Sequence, residues 1–361
     1  MADADYEYYD YDETDVVTKT IEDEYSDEDE ILALAKEAEA EADTETETET
    51  EADEYDDDDD TDGTGAITRQ IPQNKVNGTG SDDSELLIKV LTMQSGPIKT
   101  VFETLASLLV DCNILFTPEG IKICTMNRMG NVFVDLDLIA DKFADYEHNY
   151  FKEGTTDRID FIAGVRLEFI FKIIKIISSG SVIAFFVHKD EQEKLGITFE
   201  NAGDGEMKNF GLKLLNLNVN RNLRNFDVSL YDTVIMMKSS FFQKLCRDCS
   251  TFSQTIEFKS HKGVLHYSLD SDGSIELNTT IAPSNEGDDL IMKYVVNRNP
   301  NEIIQGRYEL KYLVSFTKCT NISTTVTLYL SNKLPLQIEY QVGQLGHVRM
   351  AIGQKLEKED L

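Results

Sequence analysis

Two hydrophobic periods alternate along residues 86–353. Four stretches place apolar residues at i, i+3, i+4 and i+7, the stripe of a helix lying on a core. The first carries Ile98, Val101, Phe102, Leu105, Leu108 and Leu109, and the second Leu167, Ile170, Phe171, Ile174 and Ile177. The third carries Phe242, Leu245, Cys246 and Cys249, and the fourth Leu310, Leu313, Val314 and Thr317. Between these stretches the period drops to two. Over 131–138, Val132, Val134, Leu136 and Leu138 alternate with Asn131, Phe133, Asp135 and Asp137, which predicts a half-buried strand. Residues 325–330 and 336–342 behave alike. The order helix, strands, helix, strands predicts α+β domains with helices packed on one face of antiparallel sheets.

That order occurs twice, about 142 residues apart. Val101–Leu105 pairs with Phe241–Leu245, and Gly164–Glu168 with Gly306–Leu310. Val182–Val187 pairs with Val326–Leu330, and Ile197–Glu200 with Ile338–Gln341. The order and the nearly constant spacing carry the inference, since no single pairing is decisive.

Charge separates a further segment. The chain has 361 residues and a net charge of −33, and residues 1–80 hold 30 Asp/Glu against 4 Lys/Arg. The first 80 residues thus account for −26, leaving −7 for the rest. With so few apolar residues, burial cannot offset the entropy of ordering that segment, so it is expected to be a disordered tail, with a short helical tendency over Ile31–Ala42. The expected organisation is an acidic tail and linker over 1–83, a first domain over 84–217, a connector over 218–230, a second domain over 231–354 and a short tail over 355–361.

Several kinds of chemistry lack the residues they need. Cys246 and Cys249 form a CxxC without a second pair, and both fall on the apolar stripe of the third helix, so buried core is expected rather than zinc. Asp270, Asp272 and Gly273 lack the spacing of a calcium loop and read as a hairpin turn. The five histidines are scattered with no nucleophile beside them, and no phosphate-binding glycine motif occurs. No catalytic, metal or cofactor site is therefore expected. The odd number of scattered cysteines and the acidic N-terminus fit an intracellular, reducing setting rather than a secreted disulfide framework. The longest apolar run, Phe169–Ile177, is broken by Lys172 and Lys175 and is too short to span a membrane, so no membrane association is expected.

The polar faces of the helices are the informative part. They carry Lys99, then Lys172 and Lys175, then Lys244 and Arg247, then Lys311 and Lys318, with Glu103, Glu168 and Asp248 among them. Ordinary solvated faces laced by pairs such as Glu168 with Lys172 would explain any one of these. Recurrence on all four favours a surface that meets phosphates, because lysines on flexible stems contact a backbone without reading bases.

At this point the chain resembles the sliding clamps of the proliferating cell nuclear antigen family. The closest segments are Phe242–Cys249, Tyr312–Lys318, Thr325–Leu328 and Leu334–Tyr340 through Gly346–His347. The resemblance covers about Leu86 to Gly353. It implies a two-domain protomer and a closed homotrimer, with helices lining a hole for double-stranded DNA and sheets outside. It puts the seven cations at or near DNA-facing positions. It implies closure through edge strands at Asn209–Leu217 and Ser274–Thr280. It also implies a front pocket for short peptides of a DNA polymerase and other partners, beneath the connector, with walls at Val132, Phe133, Leu223, Phe226, Pro335, Met350, Ala351 and Ile352. Two departures bear on that pocket: no aromatic residue stands near Met350, and the connector, Asn220–Asn225, is basic. A clamp loader is an implied partner, and the nucleus or a viral replication compartment the implied location. Two other readings stand beside this one: a diverged clamp-fold scaffold in transcription or checkpoint signalling, and an acidic-tail chaperone of basic partners. A tethered −26 polyanion also resembles DNA electrostatically and is expected to compete for the cationic faces.

Overall fold

The computed structural model describes residues 86–178, 180–200, 205–218, 227–271, 273–284 and 291–355. The acidic tail and most of the connector, with Leu223 and Phe226, lie outside the described residues. The first repeat runs β1 Leu86–Thr92, α1 Ser95–Leu108, β2 Asp111–Thr117, β3 Gly120–Met126, β4 Val132–Ile139, β5 Asp145–His148, β6 Phe161–Arg166, α2 Leu167–Lys175, β7 Val182–His188, β8 Lys194–Glu200 and β9 Met207–Lys213. The second runs β10 Thr233–Lys238, α3 Ser239–Ser250, β11 Thr255–His261, β12 Val264–Ser271, β13 Ile275–Ile281, β14 Met292–Asn297, β15 Ile304–Glu309, α4 Leu310–Phe316, β16 Thr325–Leu330, β17 Leu336–Val342 and β18 Gly346–Ile352. Element for element, the second repeat copies the first.

Local chemistry explains the turns. The β11–β12 hairpin turns through Lys262 and Gly263, both at positive φ, the conformation a two-residue hairpin with right-twisted strands demands. The β2–β3 turn ends on Gly120, where a Cβ would lie 1.9 Å from the Leu138 carbonyl oxygen, so only glycine lets β3 start against β4. Pro97 in the first turn of α1 supplies a preset φ where no intrahelical donor is needed.

The sheets show how the repeats join. The first repeat has a five-stranded sheet ordered β5-β1-β7-β8-β9 and a four-stranded run β4-β3-β2-β6. The second has the matching run β14-β10-β16-β17-β18 and a four-stranded sheet β13-β12-β11-β15. Antiparallel pairing of β18 with β4, from Gly346 opposite Leu138 to Ile352 opposite Val132, fuses two of these into one nine-stranded sheet. This seam is the joint between the repeats.

The helices lie on one side of the seam. Tyr340 packs its ring on Phe316 of α4 at 5.3 Å, and Tyr340 pairs with Val348, which pairs with Leu136. Alternation therefore places Val132, Val134, Leu136, Val348, Met350 and Ile352 on the helix side. The expected apolar stripes are buried: Ile98, Val101 and Leu105; Leu167, Ile170 and Ile174; Phe242, Leu245, Cys246 and Cys249; Leu310 and Leu313.

Three expectations need correction. β4 is not half-buried: Phe133 and Asp135 are buried as well, with Ala351 beside Phe133 and Arg349 beside Asp135 on that face. The fourth helix is short, giving way at Thr317 to a 3-10 turn, Thr317–Ile322, so Lys318 sits on that turn. Ile98, Val101, Phe102 and Leu105 correspond in burial to Phe242, Leu245, Cys246 and Cys249, which moves the match of α1 with α3 one helical turn from the pairing of Val101 with Phe241. Within the match of α1 with α3 the cations do not coincide: Lys99 stands opposite Gln243, and Lys244 opposite Thr100. No helix among the described residues is long and apolar enough to cross a membrane.

Candidate nucleic-acid interface

Each helix buries its apolar stripe and leaves its cations outside. Lys172, Lys175, Lys244, Arg247, Lys311 and Lys318 are exposed, and Lys99 is half-buried. Three have carboxylate partners. Lys172 pairs with Glu168 one turn away, Lys311 with Glu309 at 3.0 Å, and Lys318 with Glu103 at 3.7 Å. The Glu309 carboxylate beside Lys311 raises its pKa, and its ammonium also lies 4.8 Å from the Tyr312 ring centroid. Lys99, Lys175, Lys244 and Arg247 form no ion pair among the described residues.

Lys318 with Glu103 belongs to a larger contact. α1 of the first repeat meets the 3-10 turn of the second, and beside the ion pair the Thr104 hydroxyl lies 3.4 Å from Cys319 Sγ. Helices of the two repeats therefore touch across the joint that β4 and β18 make in the sheet. On the opposite face of that sheet, Arg349 donates to Glu339 at 2.6 Å and lies 3.8 Å from Asp135. The sequence showed Asp135 only as a polar strand position. Its partner was invisible because Arg349 is distant in the chain.

Among the described residues, two strands matching the joint remain open. β9 corresponds to β18 and pairs there only with β8, while β13 corresponds to β4 and pairs there only with β12. Their bounds lie close to the segments expected to close a ring. Met207, Ile275 and Leu277 on these edges are 37, 46 and 36 % exposed, whereas Val132 and Val134, the counterparts of Ile275 and Leu277, are at 0 %. Ile176, just beyond α2, is 49 % exposed where its counterpart Cys319 is at 0 %.

The proposed peptide pocket divides between two faces. Val132, Met350 and Ile352 point to the helix side, at 0, 0 and 1 % exposure, and so cannot share a wall with their neighbours Phe133 and Ala351. Phe133 and Ala351 pair with each other on the far face, where Ala351 also opposes Gln337. Pro335 is half-buried, and its carbonyl accepts from the Tyr231 hydroxyl at 3.0 Å. Gln337, which the sequence gave no reason to single out, is buried there with an amide nitrogen that finds no acceptor among the described residues.

The expected buried thiols are present. Burial raises Cys246 well above its ordinary pKa and pushes Cys249 up to about 11, and no cluster of metal-ligating side chains occurs among the described residues.

Two copies of one helix-backed β unit, fused through a shared sheet with cations on the outer helix faces, define the class of DNA clamp subunits. Comparison with known proteins agrees. Residues 88–223 match the family model of the proliferating cell nuclear antigen N-terminal domain, and residues 226–355 that of its C-terminal domain. The chain belongs to the proliferating cell nuclear antigen family. It is 26 % identical over 276 residues to the "Probable DNA polymerase sliding clamp 1" of Paramecium bursaria Chlorella virus 1, an alignment covering 75 % of this chain and 98 % of that one. It is 26 % identical over 266 residues to the proliferating cell nuclear antigen of Dictyostelium discoideum, covering 73 % and 98 %.

Proposed function

We propose that three copies of this chain close into a ring around duplex DNA and that the ring holds a DNA polymerase on its template. The chain is a sliding clamp of the processivity-factor type, a binding protein for which this reading requires no catalysis. One observation carries the ring: the chain contains one finished joint, β4 with β18, and the two edges that would make the same joint again, β13 and β9. Carrying the internal register over sets Phe210 opposite Leu277 and Leu212 opposite Ile275 of the next copy. These pairs bury the apolar side chains that the isolated edges expose, and pairing removes two open edges. A head-to-tail contact of this kind either closes or makes a fibre. Closure is the proposed outcome, with three copies setting six repeats around one type of joint.

The helix layer then lines the hole. Lys99, Lys172, Lys175, Lys244, Arg247, Lys311 and Lys318 are its phosphate contacts, sequence-independent and weak one by one, as sliding requires. The front pocket is assigned to Phe133, Pro335, Gln337 and Ala351 on the outer face. A polymerase peptide is its proposed occupant, a loader the proposed agent of opening, and the nucleus or a viral replication compartment the proposed location.

Sedimentation of the full chain tests the ring, with a trimer expected. Extension of a primed circular template by a cognate polymerase, with and without the chain and a loader, tests the tether. A monomer that never stimulates extension would remove this reading in favour of a diverged scaffold. Lys244→Ala is expected to weaken DNA binding alike on all sequences and to make its salt dependence shallower.

A further inference from the structure

The finished joint inside the chain and the open joint between copies share a backbone plan and differ in charge. Inside the chain, α1 meets the 3-10 turn with one anion against one cation, Glu103 and Lys318. The buried stripes carry α1 onto α3, which sets Glu103 on Arg247 and Thr104 on Asp248. From Leu167 to Val182 and from Leu310 to Thr325 the chain runs without insertion, which sets Lys318 on Lys175 and Cys319 on Ile176. A joint between copies built on the same plan brings Arg247 of one copy to Lys175 of the next.

The sheet side of that joint changes in the same direction. Arg349 opposite Asp135, with Glu339 beside them, corresponds to Asn209 opposite Asn278. The ionic clasp of the inner joint has no counterpart between copies. The other charged groups near the helix contact are Lys172, already held by Glu168, Lys244 on the adjoining turn of α3, and Asp248.

We propose, on the ring reading above, that each joint between copies opposes Arg247 to Lys175 of the next copy with only Asp248, among the described residues, to balance them, so that closure is weakened by charge and completed by DNA phosphate. Ile176 takes the place that Cys319 holds beside Thr104 inside the chain, which sets its exposed side chain next to Asp248. The excess cation faces the hole, where a duplex neutralises it. An empty ring therefore opens at the joints between copies rather than within a protomer, and a ring on DNA resists opening.

The trimer dissociation constant of the full-length protein, measured by sedimentation or mass photometry, tests this. Arg247→Gln is expected to tighten the trimer about twofold per joint, about eightfold for three joints, as exposed charge pairs allow. Asp248→Asn is expected to loosen it by a similar factor. Glu103→Gln, within the protomer, leaves the trimer constant unchanged and lowers the protomer's melting temperature instead. A 30-base-pair duplex is expected to tighten wild-type trimers more than Arg247→Gln trimers. An Arg247→Gln trimer no tighter than wild type, or a duplex effect equal in both, overturns the proposal while the ring stands. A wild-type chain that is monomeric at every concentration overturns the ring reading itself.

Discussion

Leu277 and Val134 occupy matched positions on β13 and β4, and substituting each by aspartate separates folding from assembly. Leu277 keeps 36 % of its surface exposed on an edge strand whose only partner among the described residues is β12. Covering that remainder, on the order of 60 Å², is worth about 1.5 kcal/mol per joint. A carboxylate placed in the same apolar seam adds on the order of 3 kcal/mol against pairing. Leu277→Asp therefore costs about 4 kcal/mol at each joint, roughly a thousandfold in affinity, and micromolar protein should sediment as monomer. The protomer itself should lose no more than about 1 kcal/mol, because that edge is already partly wet. Val134 is fully buried between Met350 and Thr125. Val134→Asp should destabilise the chain by more than about 4 kcal/mol, seen as unfolding by circular dichroism at temperatures where Leu277→Asp is intact. A Leu277→Asp chain that remains trimeric at micromolar concentration would refute the transfer of the internal joint to the open edges.

Three further outcomes are expected. Arg349→Ala removes the cation between Asp135 and Glu339 in a mostly covered seam, so it should cost about 3 kcal/mol, a large drop in melting temperature by calorimetry. An unchanged melting temperature would show that the clasp contributes nothing. His148 and His347 are held below the ordinary histidine range, chiefly by burial. The folded chain prefers them neutral while the unfolded chain protonates near pH 6.5, so stability is complete above that pH and falls as pH drops below it. Urea unfolding at pH 7.5 and 5.5 should show His148→Gln losing less than wild type, and parallel losses would dismiss His148 as a contributor. Burial, with the charge of Asp111 alongside, pushes Cys112 up to about 12, and burial likewise pushes Cys319 to about 12. Native chain at pH 8 should resist iodoacetamide at both, with the half-buried Cys124 labelled first, and full labelling by mass spectrometry without denaturant would contradict the buried placement.

The amphipathic helices were legible because their determinant is local. Ile98, Val101 and Leu105 make a stripe in any context that permits a helix, and the turn at Gly263 is equally local. The alternation of 131–138 was legible as a strand, yet its burial on both faces was not, because burial depends on which strand lies alongside. The same limit misassigned the pocket. Val132, Phe133, Met350, Ala351 and Ile352 are neighbours along two strands, and successive residues of a strand point to opposite faces, so nearness in sequence put residues of two faces into one wall. Gln337 and Arg349 carried no signal, since their meaning lies in partners brought by pairing.

By itself the sequence determined the repeat, the periods of its elements, the excess of cations on the outer helix faces and the separation of an acidic tail from a globular body. These are properties of composition and short-range spacing, and a chain carries them before it folds. Tertiary structure alone decided that β18 joins β4, that Lys318 meets Glu103, and that β9 and β13 are left open with apolar side chains uncovered. Pairing of strands far apart in the chain is fixed by the free energy of the whole packed body, and no local window of residues contains it.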